Sequence, residues 1–273
     1  MDPSGRPPVI LTMLIALAAE AEALTRHTKT KREINRVVPV RRAGEGSTAI
    51  IQCGIGRDAI LRIGAPQLKQ TLFAGNIGVS GGLAPEMEPG TVIVGERILT
   101  NGDSPKSSTY QDIYTANQHI VALLESALQK NAIPCRRGSL LCEQQPITRP
   151  EDKAAAYLKT GALAVDMESA GAAEAARLAG IPFFSIRVIC DPARRKIVRK
   201  LFVGVDSRGN NRPARLIKPL LRRPWLIAQL LMMARDFSCA LSSIERVWNV
   251  VEQPLVNLAA DRSTKSDLAC QKL

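Results

Sequence analysis

An α/β fold around a mostly parallel sheet is the architecture this sequence predicts, and three observations carry the prediction. Short apolar runs recur along the chain: "VILTMLIALA", "STAIIQCGIG", "LFAGNIGVSGG", "GTVIVGERI", "ALAVDM" and "FFSIRVIC". Helix-like stretches lie between several of them, at 57–71, 117–131 and 167–179. The alternation suits a sheet whose two faces are both covered by helices. With 273 residues, 45% of them hydrophobic and 23% charged, the chain can bury a full core, as one large domain or one domain with an appendage.

The first run admits two readings. Arg6 followed by "VILTMLIALAAEA" has the basic flank, apolar core and Ala-x-Ala-like end of a signal peptide. A buried first strand fits the same residues, and it is preferred because the motifs that follow need it. No run approaches the roughly 18–20 apolar residues of a membrane-spanning helix, so the chain is expected not to cross a membrane. Six scattered cysteines without CxxC spacing point to a reducing, cytoplasmic setting with no disulfide framework and no zinc site. Only His27 and His119 are present, which excludes a multi-histidine metal centre and disfavours a histidine-based triad. Acid–base chemistry therefore falls to carboxylates, and no cofactor or metal is expected.

In sheets of this kind ligands sit beyond the carboxyl ends of strands. The first run ends at "AAEAEAL", which places Glu20 and Glu22 there; both also suit the acid-favouring start of a helix. The second ends in "QCGIGRD", where Gly54 and Gly56 bracket a strand-to-helix turn and Arg57 opens the helix as a candidate anion contact. The third ends at Gly78, Ser80, Gly81 and Gly82, a stretch that lets backbone approach a flat or anionic ligand, or that makes a sharp turn. "LAVDMES" puts Glu168 at a strand end. "FFSIRVICDP" puts Asp191 at the next, after an Ala/Gly-rich helix closed by Gly180. Each acid alone could be a helix cap. Their recurrence on one face of the sheet points to a site.

From about residue 206 the texture changes. "DSRGNNRPAR" reads as a linker or loop, and an amphipathic helix follows, with Leu226, Leu230, Met233, Phe237, Leu241, Ile244, Trp248 and Val251 at steps of three and four. Arg215, Lys218, Arg222 and Arg223 precede it. The net charge of +12 is concentrated here: residues 191–273 hold 16 Lys/Arg against 7 Asp/Glu. The expected organisation is a catalytic domain at 9–205, a basic amphipathic extension at 213–251 and a disordered tail at 252–273. The extension reads either as an oligomerisation or core-capping helix or as a docking element for an anionic membrane. Nucleic acid is not an expected partner: Trp225, Phe237 and Trp248 follow the apolar face, whereas base stacking needs exposed aromatics among cations.

The motifs "NIGVSGGLAP…PGTVIV" and "VDMESAGAAEAARLAGIPFFSIRVICD", with the first-strand acid and the "GIG" turn, resemble the nucleoside phosphorylase and methylthioadenosine/S-adenosylhomocysteine nucleosidase superfamily. The resemblance covers about residues 9–192. It implies a three-layer nucleoside-phosphorylase-like fold and an N-ribosyl hydrolase that needs no cofactor. Glu20, or Glu22 if the register slips, would activate the attacking water. Glu168 would hold ribose hydroxyls, Met167 would lie against base and sugar, and Asp191 would protonate adenine N7. Asn76, Val79, Ser80, Gly81, Gly82 and Ile147 would line the nucleoside. Phosphorylases of the family hold phosphate with an arginine and a serine at positions matching Asn76 and Val79; neither supplies a cation here, so water is the expected nucleophile and phosphate the alternative. Cys190 stands where better-known nucleosidases carry serine. Residues 220–236 look similar to the hopanoid-associated branch, which implies adenosylhopane as substrate, ribosylhopane as product, and peripheral contact at the inner face of the cytoplasmic membrane. A methylthioadenosine-type nucleosidase, a purine phosphorylase or a nucleoside-binding module are the alternatives, and homo-oligomers are expected.

Overall fold

The computed structural model describes residues 9–26, 31–32, 40–43, 47–69, 71–101, 110–198, 204–216 and 223–270. In chain order its elements are β1 (Leu11–Ile15), α1 (Ala18–Thr25), β2 (Lys31–Arg32), β3 (Val40–Ala43), β4 (Thr48–Gln52) and α2 (Arg57–Gly64). Then come β5 (Phe73–Gly82), β6 (Val92–Thr100), β7 (Gln111–Thr115), α3 (Gln118–Lys130), β8 (Cys135–Cys142) and α4 (Pro150–Thr160). The last are β9 (Ala164–Asp166), α5 (Ser169–Ala179), β10 (Phe183–Asp191) and α6 (Leu226–Cys270).

The strands join in the order β10-β6-β8-β9-β5-β1-β4-β3-β2, with β7 on β6. Because β10 also pairs with β5, the strands β5, β10, β6, β8 and β9 close into a ring. The pairs β1–β4, β1–β5, β5–β10, β6–β8 and β8–β9 are parallel; β6–β10, β5–β9, β3–β4, β2–β3 and β6–β7 are antiparallel. The sheet is thus mixed, with a parallel centre. All of β1 is buried, as its unbroken apolar run requires. β8 and α4 lie outside the apolar runs; β8 passes through Arg136, Arg137 and Gly138 after Cys135 and becomes buried only from Leu140 on.

The small side chains of "SAGAAEAA" let α5 lie against α2. A Cβ on Gly171 would stand 2.5 Å from the Arg57 carbonyl oxygen, so the Ala/Gly composition is a packing requirement. The C-terminal third differs from its sequence reading. The loop at 204–212 is docked across the ends of β1 and β4: Gly209 accepts the Ala18 amide at 2.9 Å and Ser207 the Ile55 amide at 3.1 Å. Asp206 organises it, accepting the amides of Arg208 and Asn210 at 3.0 and 2.9 Å.

The helix α6 continues through 252–270, where the sequence reading placed a disordered tail. Leu255, Val256 and Ala259 there are buried, so the apolar period runs on past Val251. Ile244, Trp248 and Val251 lie in the main core with Leu11, Phe184 and Leu124. The face expected to meet a membrane is, along this length, a core-capping face. Of the basic cluster, Lys218 and Arg222 lie outside the described residues. Trp225, Ile227, Leu231 and Met232, at the other end of α6, are exposed, Trp225 and Leu231 at 65% each. Among the described residues no helix is long and apolar enough to cross a membrane.

Candidate active site

Three carboxyl side chains converge where the strands end. Glu20 is the third residue of α1; its Oε2 reaches back to accept the Leu17 amide at 2.9 Å, and its Oε1 accepts the Val79 amide of β5 at 2.8 Å. It is 2% exposed. Burial pushes its carboxyl above the usual range, opposed by those amides and by the Arg187 guanidinium. Glu22 points outward, 3.7 Å from Arg41. Between the two acids left open by the sequence, the fold brings Glu20 to the site.

Glu168 stands at the start of α5, 8% exposed, and its Oε1 accepts the Gly56 amide at 2.8 Å. Gly56 caps α2 at φ +94°, a conformation L side chains rarely adopt, so the "GIG" turn serves to aim a backbone donor at this carboxylate. Burial first, then the neighbouring Asp166 charge, raise the Glu168 pKa to about 7. Asp166 itself is spent on architecture. Its Oδ1 accepts the amides of Glu168 and Ser169 and the Ser169 hydroxyl, each at 2.9 Å. Its Oδ2 accepts Arg187 Nε at 2.6 Å.

Arg187 sits mid-strand in β10, fully enclosed, and also donates to Asn76 Oδ1, whose amide group donates to the Leu14 carbonyl. Asn76 therefore ties β1, β5 and β10 together and is only 1% exposed. A Cβ at Gly78 would lie 2.7 Å from both Arg187 Nη1 and Glu20 Oε1; the missing side chain lets cation and acid approach.

Asp191 owes its direction to a bulge. Ile189 pairs with Ser80 and Asp191 with Gly81, leaving Cys190 as the extra residue. The Cys190 thiol lies 3.7 Å from Asp191 Oδ1. Lys153 of α4, with a 0% exposed side chain, donates to Asp191 Oδ2 and, at 3.0 Å, to the Pro192 carbonyl. Burial raises the Asp191 pKa and Lys153 pulls it down.

Val79, Gly81, Met167 and Cys190 are partly exposed beside these acids, while Ser80 is buried with its hydroxyl 3.5 Å from the Val188 carbonyl. Gly82 pairs with Ala164. Ile147 stands in the wall of a separate open cavity of about 720 Å³, with Tyr110, Glu143 and Lys159, that none of the three acids lines. Arg57 turns to α5 and binds Glu174 at 2.7 Å, so its guanidinium does not face the acids' amide cradle as an uncommitted anion contact.

Sequence reasoning passed over Arg187, Lys153 and the role of Asp166. A lone arginine inside "FFSIRVIC" was a usable signal, since a charge mid-strand between apolar neighbours must be paired. Lys153 in "PEDKAAAYLK" carries no such mark. The cluster supplies a carboxyl held by amides, a carboxyl near its own titration point and a carboxyl on a lysine leash, which is a set suited to moving protons around a polar ligand.

Among solved structures, the fold is similar to the Helicobacter pylori 5′-methylthioadenosine/S-adenosylhomocysteine nucleosidase, at TM-score 0.66 and 13% identity, over 92% of this chain and 99% of that one. It is similar to futalosine hydrolase of the same organism at TM-score 0.62 and 14% identity, over 91% and 97%. The Colwellia psychrerythraea nucleosidase in complex with adenine matches at TM-score 0.60 and 18% identity, over 89% and 97%. A search of curated proteins finds no match. The sequence pattern of one family, the phosphorylase superfamily, matches residues 13–222, from β1 to just short of α6. With that match spanning most of the chain, and the acids standing at the strand ends of a mixed α/β sheet, the protein belongs to the phosphorylase superfamily.

Proposed function

We propose that the protein is a hydrolytic N-ribosidase that releases adenine from a 5′-substituted adenosine. The observation that carries this reading is the convergence of Glu20, Glu168 and Asp191 at neighbouring strand ends. N-glycosidic cleavage passes through an oxocarbenium-like ribosyl and needs a protonated leaving base, an activated nucleophile and stabilised positive charge. Asp191 gives a proton to N7, Glu168 accepts the ribose hydroxyls, and Glu20 takes the proton of the attacking water. Met167 lies against the nucleoside.

Water is favoured over phosphate by how the cations and amides are used. The Val79 amide is taken by Glu20, Arg57 by Glu174, and Arg187 by Asp166 and Asn76. A phosphate at the β5 loop would meet the Glu20 carboxylate there. The similar folds include nucleosidases solved with adenine and with methylthioadenosine, which agrees with an adenine nucleoside as substrate.

A second reading concerns the 5′ group. Arg195, four residues beyond Asp191, is paired with Asp236 of α6, so the first turns of α6 lie at the site end of the molecule. The exposed Ile227, Leu231, Met232 and Arg235 lie on those turns, and the exposed Arg223 and Trp225 lie just before them. An apolar stripe with cations fits an anionic membrane surface and a lipid-linked nucleoside such as adenosylhopane. The test is adenine release from methylthioadenosine and from an adenosine with a long apolar 5′ chain in anionic liposomes, each with and without phosphate. Phosphate-independent release supports hydrolysis, and release that requires phosphate overturns it. Turnover of the short substrate alone removes the lipid reading.

A further inference from the structure

Lysine is among the side chains least often fully buried, because stripping water from an ammonium is costly unless a partner compensates. Lys153 is fully buried, on the face of α4 that turns toward the end of β10. Its ammonium group reaches two acceptors, the Oδ2 of Asp191 and the Pro192 carbonyl at 3.0 Å. Both belong to the two residues that follow the bulge. A tether for the loop alone would need only the carbonyl. The stronger partner is the side chain that the proposed reaction uses to protonate the base.

We propose that Lys153 is a positioning residue for Asp191: it grips one carboxyl oxygen from below, presents the other to the purine, and sets the acidity with which Asp191 donates. The inference rests on the nucleosidase reading of the site. Among the described residues the groups that face Asp191 are few. Cys190 lies on its own strand with the thiol 3.7 Å from Oδ1, Arg195 approaches from the following loop with its charge committed to Asp236, and Gly81 on the paired strand brings none. Lys153 is thus the cation that acts most directly on this carboxyl. With Oδ2 occupied, Oδ1 is the oxygen left beside the partly exposed Gly81 and Cys190.

The sign of the test follows from the charge. Lys153 favours the ionised carboxyl, so its removal leaves Asp191 protonated to higher pH. Lys153→Met should lower kcat by about tenfold or more, and it should move the alkaline limb of the kcat profile up by about one pH unit or more. Lys153→Arg, which keeps the charge, should leave that limb in place. Where Lys153→Met does not accumulate as folded protein, the neutral pair Asp191→Asn/Lys153→Met carries the test. Its rate should equal that of Asp191→Asn alone, because a residue that acts through Asp191 has nothing left to lose. An unmoved limb in folded Lys153→Met, or a further rate loss in the double variant, overturns the assignment and leaves a structural tether. A wild-type protein that releases no adenine overturns the nucleosidase reading instead, so the two failures are distinguishable.

Discussion

Asparagine at position 191 keeps the side-chain shape and the acceptor for Lys153 but has no acidic proton. Adenine release by Asp191→Asn should therefore fall by about 10²- to 10⁴-fold, the usual contribution of a general acid, while circular dichroism stays native. Unchanged turnover would remove Asp191 from the mechanism. Glu168 makes a separate prediction, on stability. Its folded pKa of about 7 lies above the ordinary 4.5, so the proton-bound form suits the fold. The associated stability is present in full below the ordinary value and is lost as pH rises from about 4.5 through about 7, a loss on the order of 3 kcal/mol. Glu168→Gln, which keeps an acceptor for the Gly56 amide, should flatten the fall in unfolding free energy between about pH 4.5 and pH 7. A variant that tracks the wild type over that range would show that Glu168 is not the group responsible. At this scale the sequence was partly legible. Strand-end position marks Glu20, Glu168 and Asp191 as candidates, because a single pattern of apolar run followed by acid fits them all. It could not choose between Glu20 and Glu22, which lie about half a turn apart on opposite faces of a short helix, nor find Lys153, whose partner is 38 residues away.

Two backbone devices aim the acids, and each can be tested in isolation. Gly78→Ala would put a methyl 2.7 Å from both Glu20 and Arg187, so the pair must separate. Activity should drop at least tenfold, with a lower melting temperature; wild-type kinetics would mean that the close approach is dispensable. The bulge at Cys190 depends on count rather than chemistry. Cys190→Ser keeps the count and a small donor, and should retain activity to within a few-fold; deletion of Cys190 would straighten β10, remove the local bend that directs Asp191 and abolish release. Both devices were half visible. The glycines of "NIGVSGG" were read as room for a ligand, whereas Gly78 makes room for a second side chain of the protein. A bulge needs the register of two strands, which one strand's sequence does not contain.

Across the whole molecule the helix α6 has two unlike ends. Trp248 is 1% exposed in the main core, and Trp248→Ala should cost about 3–5 kcal/mol in denaturant unfolding. Trp225, at 65% exposure, should cost under about 0.5 kcal/mol, and Trp225→Ser with Leu231→Ser should lower flotation with anionic vesicles while the fold stands. Equal flotation of that double variant and the wild type would remove the membrane surface from these turns. The alternation of runs foretold an α/β fold. The period of α6 foretold a helix, but an apolar stripe does not say whether sheet or lipid covers it, and most of this one covers the sheet.

That division has a consequence for synthesis. The segments that carry Glu20, Glu168 and Asp191 leave the ribosome well before Trp248 does, so for that interval the face of β1, β5 and β10 that α6 covers presents apolar surface with no helix over it. Nascent chains halted before residue 240 should bind chaperones and yield to protease, and catalytic competence should appear abruptly, only when the last turns of α6 dock.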